Sequence, residues 1–356
     1  MWFTPTATRG GFTGHYYGKE PNEKGKELKS QQEKTRIVGL GSALVDILVH
    51  ENDDFVSRIG YPKGGMTLVD MQELERILSQ LSTVPVQVPG GSACNTAVGV
   101  GCLGGHARFV GKRGNDDSGL FFQEALVQRG VEPVLLPSEL PTGRVLSIIT
   151  PDAQRTMITY LGASADTRPD EITADHFAGC AVAHVEGYML FNPELMTASL
   201  TAAKAAGSLI SLDLASFTVV EQSRELLDEL IEKYVDILIA NEDEALAYTG
   251  EEDELKALDQ LARHAEVAVL KVGARGSFIQ ESGRVYRIAA QGNNGAIDTT
   301  GAGDLWASGF LYGMVNGFDH DKSGRIASAC GYEVCQVIGA DISADGWMRI
   351  RKKLEE

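Results

Sequence analysis

The chain has 356 residues, of which 43% are hydrophobic and 23% charged, and its formal net charge is −17. That composition suits a soluble α/β fold with room for one large domain and a smaller one. The acidic balance, with no long basic run, argues against nucleic acid or an anionic membrane surface as a partner.

The five cysteines, Cys94, Cys102, Cys180, Cys330 and Cys335, are an odd number and form no CxxC pair. They suit reduced thiols in a cytoplasmic protein. No stretch is long and apolar enough to span a membrane, and the start of the chain lacks an apolar signal core. Residues 1–35 are polar and without apolar periodicity, which predicts a loosely ordered extension. Its aromatics Trp2, Phe3, Phe12, Tyr16 and Tyr17 leave docking open.

From Arg36 the pattern changes. Ile37-Val-Gly-Leu-Gly41 predicts a buried strand ending in a tight turn. Asp46 follows shortly after and is expected at the carboxyl end of that first strand, where open α/β sheets bind ligands. It suits the paired hydroxyls of a sugar, or a turn cap. Residues 47–70 have β character. Pro85-Val-Gln-Val-Pro-Gly-Gly91 predicts another strand running into a turn. The double glycine Gly90-Gly91 allows close backbone approach, and Asn95 stands one helical turn on, placed to bind ligand hydroxyls. Gly99-Val-Gly-Cys-Leu-Gly104 matches GxGxxG but does not follow a strand directly, so it reads as a helix packed closely through small residues. Gly111-Lys112 lacks the upstream glycine of a P-loop.

Residues 142–161 hold two β-rich runs around Pro-Asp-Ala-Gln-Arg155, which predicts an antiparallel hairpin. With 47–70 it forms a candidate lid over a site, or an edge extension with no moving role. Apolar runs at 182–188, 209–214, 235–240 and 267–272 alternate with helix-like stretches at 193–206, 221–233 and 253–264. That alternation predicts a mainly parallel sheet covered on both faces. Asn241-Glu-Asp-Glu244 follows one of these strands. Its acids suit a water-mediated Mg²⁺ site, or a solvated helix N-terminus.

Asp298-Thr-Thr-Gly-Ala-Gly-Asp304 carries the most chemistry. A glycine-rich turn opening a helix presents backbone N–H groups at a positive dipole end, which favours phosphate. An acid in that first turn suits a base that takes a proton from a hydroxyl attacking the phosphate. A helix cap is the plain alternative.

In order, the stretch from Gly90-Gly-Ser-Ala-Cys-Asn to Gly119, then Asn241-Glu-Asp-Glu244, then Asp298 to Asp304, resembles the signatures of the ribokinase-like (PfkB) family of carbohydrate and nucleoside kinases. The resemblance runs from about Arg36 to the C-terminus. It implies a three-layer α/β/α sandwich with a mainly parallel central sheet and a small β-sheet lid, in one kinase domain over 36–356. It implies ATP and Mg²⁺. Asp304 would be the base, and the backbone of Gly301, Ala302 and Gly303 the anion hole. Asp46, Gly90, Gly91 and Asn95 would hold the acceptor, with Leu44 facing it. Asn241, Lys271, Gly273, Gly276 and Thr299 would line the nucleotide. Glu244 would act on Mg²⁺ through water. Asp298 and the Thr300 carbonyl match positions that bind a monovalent cation such as K⁺ in some members.

The expected activity is transfer of the ATP γ-phosphate to a primary hydroxyl of a small-molecule sugar or nucleoside. Monomer and homodimer stay open. Apolar Leu44 and Lys63-Gly-Gly-Met-Thr-Leu-Val-Asp70 incline towards the adenosine-kinase-like branch, with fructose- or ribose-type acceptors as the alternative. A non-catalytic nucleotide or sugar sensor on the same fold predicts loss of Asp304 or its flanking glycines, and these are intact. An NAD-dependent oxidoreductase requires a third glycine, absent from Gly39-Leu-Gly-Ser-Ala-Leu44.

Overall fold

The computed structural model describes residues 35–355 apart from 153, 293 and 294. The extension expected at the start of the chain lies outside the described residues except for Thr35. Fourteen strands follow in chain order: β1 (Arg36–Leu40), β2 (Leu44–His50), β3 (Met66–Leu68), β4 (Val86–Gly90), β5 (Ala107–Gly114), β6 (Val131–Ser138), β7 (Gly143–Ile149), β8 (Arg155–Tyr160), β9 (Cys180–Glu186), β10 (Leu209–Asp213), β11 (Ile237–Asn241), β12 (Val267–Lys271), β13 (Ser277–Glu281) and β14 (Arg284–Ile288).

Nine of them form the central sheet, in the order β14-β13-β12-β11-β10-β9-β1-β5-β6. Pairing is parallel from β12 through to β6, and the hairpin β13–β14 closes one edge antiparallel. These strands read as near-continuous apolar runs because both faces are covered. The alternation of side chains divides them: Val38, Val185, Leu212 and Leu270 join the helices Pro193–Ala205, Arg224–Tyr234 and Glu254–Leu261 on one face. Ile37, Val182, Ile239 and Val269 join the helices Ser92–Cys102, Ala302–Val315 and His320–Val334 on the other. This is the three-layer sandwich expected from the sequence. The stretch 221–233 divides in two, Phe217–Gln222 and Arg224–Tyr234, because Ser223 leaves helical geometry at φ −118°. No helix among the described residues is long and apolar enough to cross a membrane.

Five strands form a separate sheet, β3-β8-β7-β2-β4. The hairpin over 142–161 is present as antiparallel β7–β8. The structure assigns one expected strand to this sheet and corrects the place of Asp46. The strand at 85–91 is β4 of this smaller sheet, where it pairs antiparallel with β2. Asp46 does not end the first strand of the main sheet, because β1 stops at Leu40 and Asp46 sits inside β2. The cause is the turn Gly41–Ala43, which carries the chain from one sheet to the other. A two-residue period then sorts the small sheet. Ile47, Leu146, Ile148 and Ile158 face a compact core with Phe55, Leu74 and Ile77. Leu44, Asp46, Val145, Ser147, Met157 and Thr159 line a cavity on the opposite side.

The GxGxxG match lies at the end of the helix Ser92–Cys102, and its role is close packing. A Cβ on Gly99 would stand 2.3 Å from Ser308 Oγ and 2.8 Å from Leu305 Cδ1 on the facing helix. Gly99→Val should therefore force the two helices apart and cost about 1–3 kcal/mol. Urea unfolding checks this. A midpoint equal to wild type would mean that the contact carries no packing constraint.

Candidate active site

A cavity of about 810 Å³ opens at the carboxyl edge of the central sheet. β1 and β9 are neighbours there, and the chain order reverses between them, which is where open α/β sheets bind ligands. Leu40, Glu186, Asp213, Asn241 and Lys271, the last residues of β1, β9, β10, β11 and β12, all line it. The small sheet forms the opposite wall.

Two helix N-termini meet at the centre. Gly301, at φ 71°, caps the helix Ala302–Val315, and Asp304 falls in its first turn. Ser92 and Asn95 begin the other helix. Ser92 Oγ donates to Asp304 Oδ1 at 2.7 Å, and Asn95 Nδ2 donates to Asp304 Oδ2 at 2.9 Å. Thr96 Oγ1 also donates to the Asp304 carbonyl at 3.1 Å. Burial raises the Asp304 carboxyl above the usual range, against the lowering effect of the Asn95 and Ser92 bonds. Asn95, expected on ligand hydroxyls, is thus also a ligand of the predicted base.

Asp46 reaches the same cavity from β2. Burial pushes it up to about 6, with Arg155 opposing and Asp304 and Asp298 adding to the rise. Its neighbour in the ladder is β4, and a Cβ on Gly90 would stand 2.4 Å from the Asp46 Cγ, so Gly90 makes room for the carboxylate. Leu44, Gly91 and Asn95 line the cavity beside it.

Asn241 and Glu244 form a capping box at the start of the helix Glu242–Thr249. Asn241 N and Nδ2 donate to Glu244 at 2.8 and 2.7 Å, and Glu244 N donates to Asn241 Oδ1 at 2.9 Å. Glu244 is pushed up to about 7 by burial and by Asp213, with Lys271 opposing. Lys271 Nζ donates to Asp213 at 2.7 Å. Burial pulls the Lys271 ammonium down, but Asp213 and Glu244 outweigh it, so its net shift is upward.

Thr299, Thr300, Gly301, Ala302 and Gly303 line the cavity. Asp298 stands behind them and holds the turn. It accepts from Thr300 N at 2.9 Å, Thr300 Oγ1 at 2.7 Å and Gly339 N at 2.8 Å. Burial would raise it, but these bonds win and its carboxyl lies below the usual range. Gly273 and Gly276 shape the turn between β12 and β13 and do not line the cavity.

Beside Ser92, to which the sequence reading gave no role, it missed three further groups. Glu186, 1% exposed, accepts from Ser42 N at 2.9 Å and Ala93 N at 3.0 Å. It ties the turn leaving β1 to the helix that carries Ser92 and Asn95. An acid late in an apolar run was its available signal, and Asp213 in the run 209–214 offered the same one; both end their strands, β9 and β10. Arg155 had no local signal. It projects from β8 and donates to Thr300 Oγ1, which joins the small sheet to the glycine-rich turn.

A mainly parallel sheet, a separate small sheet over its carboxyl edge, and a Gly-Ala-Gly helix start beneath that sheet together define a ribokinase-like phosphotransferase acting on an alcohol group. The chain belongs to the pfkB family of carbohydrate kinases, whose profile matches residues 64–346. It is 31% identical over 257 residues to 5-dehydro-2-deoxygluconokinase of Shouchella clausii, covering 67% of this chain and 78% of that one. It is 27% identical over 327 residues to probable fructokinase-4 of Arabidopsis thaliana, covering 85% and 91%. The solved structure of adenosine kinase from Sinorhizobium meliloti superposes with a TM-score of 0.82 at 32% identity, covering 90% of this chain and 99% of that one.

The Asp46 shift has a consequence for the free protein. Its folded value of about 6 lies above the ordinary 3.8, so the folded state binds the proton more tightly. Ionised Asp46 therefore costs stability above pH 6, and that cost disappears as pH falls towards 4. Asp46→Asn should stabilise the unliganded protein at pH 8 by up to about 3 kcal/mol. The gain should shrink towards zero near pH 4. Urea unfolding of both proteins at the two pH values checks this, and a variant less stable than wild type at pH 8 contradicts it.

Proposed function

We propose that this protein transfers the γ-phosphate of ATP to a primary hydroxyl of a nucleoside, in the manner of an adenosine kinase. The observation that carries the reading is Asp304: a half-buried carboxylate in the first turn of the helix that Gly301 caps, in one cavity with Gly301, Ala302, Gly303 and Asp46. Phosphoryl transfer needs alignment, charge neutralisation and a base rather than covalent chemistry from the protein. Asp304 takes the proton of the attacking hydroxyl. The N–H groups at Gly301, Ala302 and Gly303 receive the transferred phosphoryl. Asp46 accepts from the acceptor's other hydroxyls, with Gly91 and the amide of Asn95 beside it.

Glu244 and its partner Asn241 suit Mg²⁺. The carboxylate is buried next to Asp213, so it lacks full charge compensation and offers hard oxygen donors at the nucleotide edge. When bound, Mg²⁺ neutralises phosphate charge. Thr299 extends the same wall, and Gly273 and Gly276 set the turn that follows Lys271. Asp298 and the Thr300 carbonyl are the groups that would meet K⁺. The small sheet serves as the lid.

The cavity wall favours a nucleoside over a free sugar. Met66 and Leu68 on β3 are 40% and 51% exposed, and Tyr188 and Phe191 are 36% and 52% exposed, yet all four line the cavity with Leu44. Apolar surface of that extent suits a planar base. The adenosine kinase superposition supports this choice. A hexose acceptor is the second reading, favoured by the likeness to a fructokinase.

Coupled ADP release over adenosine, inosine, ribose and fructose tests the proposal. Adenosine should give the highest kcat/KM, and Leu44→Asn should weaken it. Asp304→Asn should lose about 10²–10⁴-fold in kcat with ATP binding retained. Strong turnover of a hexose with no nucleoside turned over would end the nucleoside reading, and near-normal turnover by Asp304→Asn would end the base assignment.

A further inference from the structure

Lys271 is the cation in a cluster of carboxylates. It ends β12, and its side chain is 13% exposed. Asp213 from β10, Glu244 from the helix Glu242–Thr249 and Asp304 from the helix Ala302–Val315 all act on it electrostatically. In the unliganded protein its ammonium donates to Asp213 at 2.7 Å.

Its position says more than a structural ion pair would. A Cβ built on Gly303 would stand 3.0 Å from Lys271 Nζ. The ammonium therefore abuts the glycine-rich helix start, on the cavity side, where both residues form the wall. Any side chain at position 303 would meet it. A buried pair that served stability alone would have no reason to stand there, since burying two charges costs as much as or more than it returns.

We infer that Lys271 is a catalytic residue of the kinase reaction, whose ammonium leaves Asp213 and contacts the transferred phosphoryl group beside the Gly301–Gly303 amides. The inference rests on the kinase reading above. The chemistry balances without a further reactant. The acceptor oxygen forms a bond to the γ-phosphorus, the bond from that phosphorus to the β–γ bridging oxygen breaks, and ADP leaves with the electron pair. The acceptor proton passes to Asp304. Lys271 stays protonated throughout and stabilises charge on the non-bridging oxygens. Its stem is long and unbranched, so a shift from Asp213 to phosphate requires rotamer changes only. Asp213 has a second part in this arrangement. It keeps the ammonium charged and aimed while the site is empty.

The test compares Lys271→Met, Asp213→Asn and the double variant with wild type. The readouts are kcat, acceptor KM, ATP affinity by calorimetry, and urea unfolding. Losing one electrostatic donor to the transition state should lower kcat by about 10²–10³-fold. ATP affinity and acceptor KM should stay within a few-fold, and Lys271→Arg should recover part of the loss. The double variant should be as slow as Lys271→Met alone, because removing Asp213 does not replace the missing ammonium. If Lys271 only neutralises Asp213, the double variant should instead recover to the rate of Asp213→Asn, and that result overturns the assignment. A loss confined to ATP affinity, with kcat unchanged, overturns it as well. Wild type that turns over no sugar or nucleoside is a separate failure, of the kinase reading itself.

Discussion

The arrangement that everything else serves is the pairing of Asp304 with the side chains of Ser92 and Asn95. It joins the first turns of two helices that belong to distant parts of the chain. Burial alone would drive the Asp304 carboxyl towards its neutral form, in which it could take no proton. Two hydrogen bonds and the positive end of its own helix work against that. The packing of Gly99 against Ser308 keeps those helices near enough for the bonds to form. Glu186 does the same from the side, by holding Ala93 N and Ser42 N.

The constraint has an electrostatic cost elsewhere. Asp46, Asp213, Glu186, Glu244 and Asp304 gather around one cavity, and several raise one another's affinity for protons. Such a cluster is poor for stability and suited to ligands that bring hydroxyl donors and metal-bound phosphate. Perturbed acids in one cleft mark functional sites for this reason.

Much of this was legible in the sequence. The alternation of apolar runs and helical stretches predicted the parallel sheet. The run Asp298–Asp304 predicted a glycine-rich helix start bearing an acid, and Asn241–Glu244 an acidic strand end. The hairpin over 142–161 followed from its turn chemistry. What failed was assignment of strands to sheets. Asp46 read as part of the main sheet, because a three-residue turn at Gly41–Ala43 gives no local sign that the chain is changing sheets, and the strand at 85–91 was expected without a sheet to join. Arg155 escaped because its partner Thr300 lies 145 residues on. The dual role of Asn95 escaped for the same reason: its spacing marked it as a ligand residue, but only tertiary contact shows what it holds.

The small sheet is legible in a different way. Its period-two pattern puts an apolar core on one side and a mixed wall of Leu44, Asp46, Ser147, Met157 and Thr159 on the other. A sheet with its own core is built to keep its shape while its other face lines the cavity. Arg155 then links that wall to the turn where phosphate is expected.

The most direct test of the central arrangement is the pH dependence of kcat, at saturating ATP and acceptor, in Ser92→Ala against wild type. Ser92 stabilises the charged form of Asp304, so its removal should raise that carboxyl further and move the acid limb of the profile to higher pH. A limb that stays where it is in wild type would contradict the account.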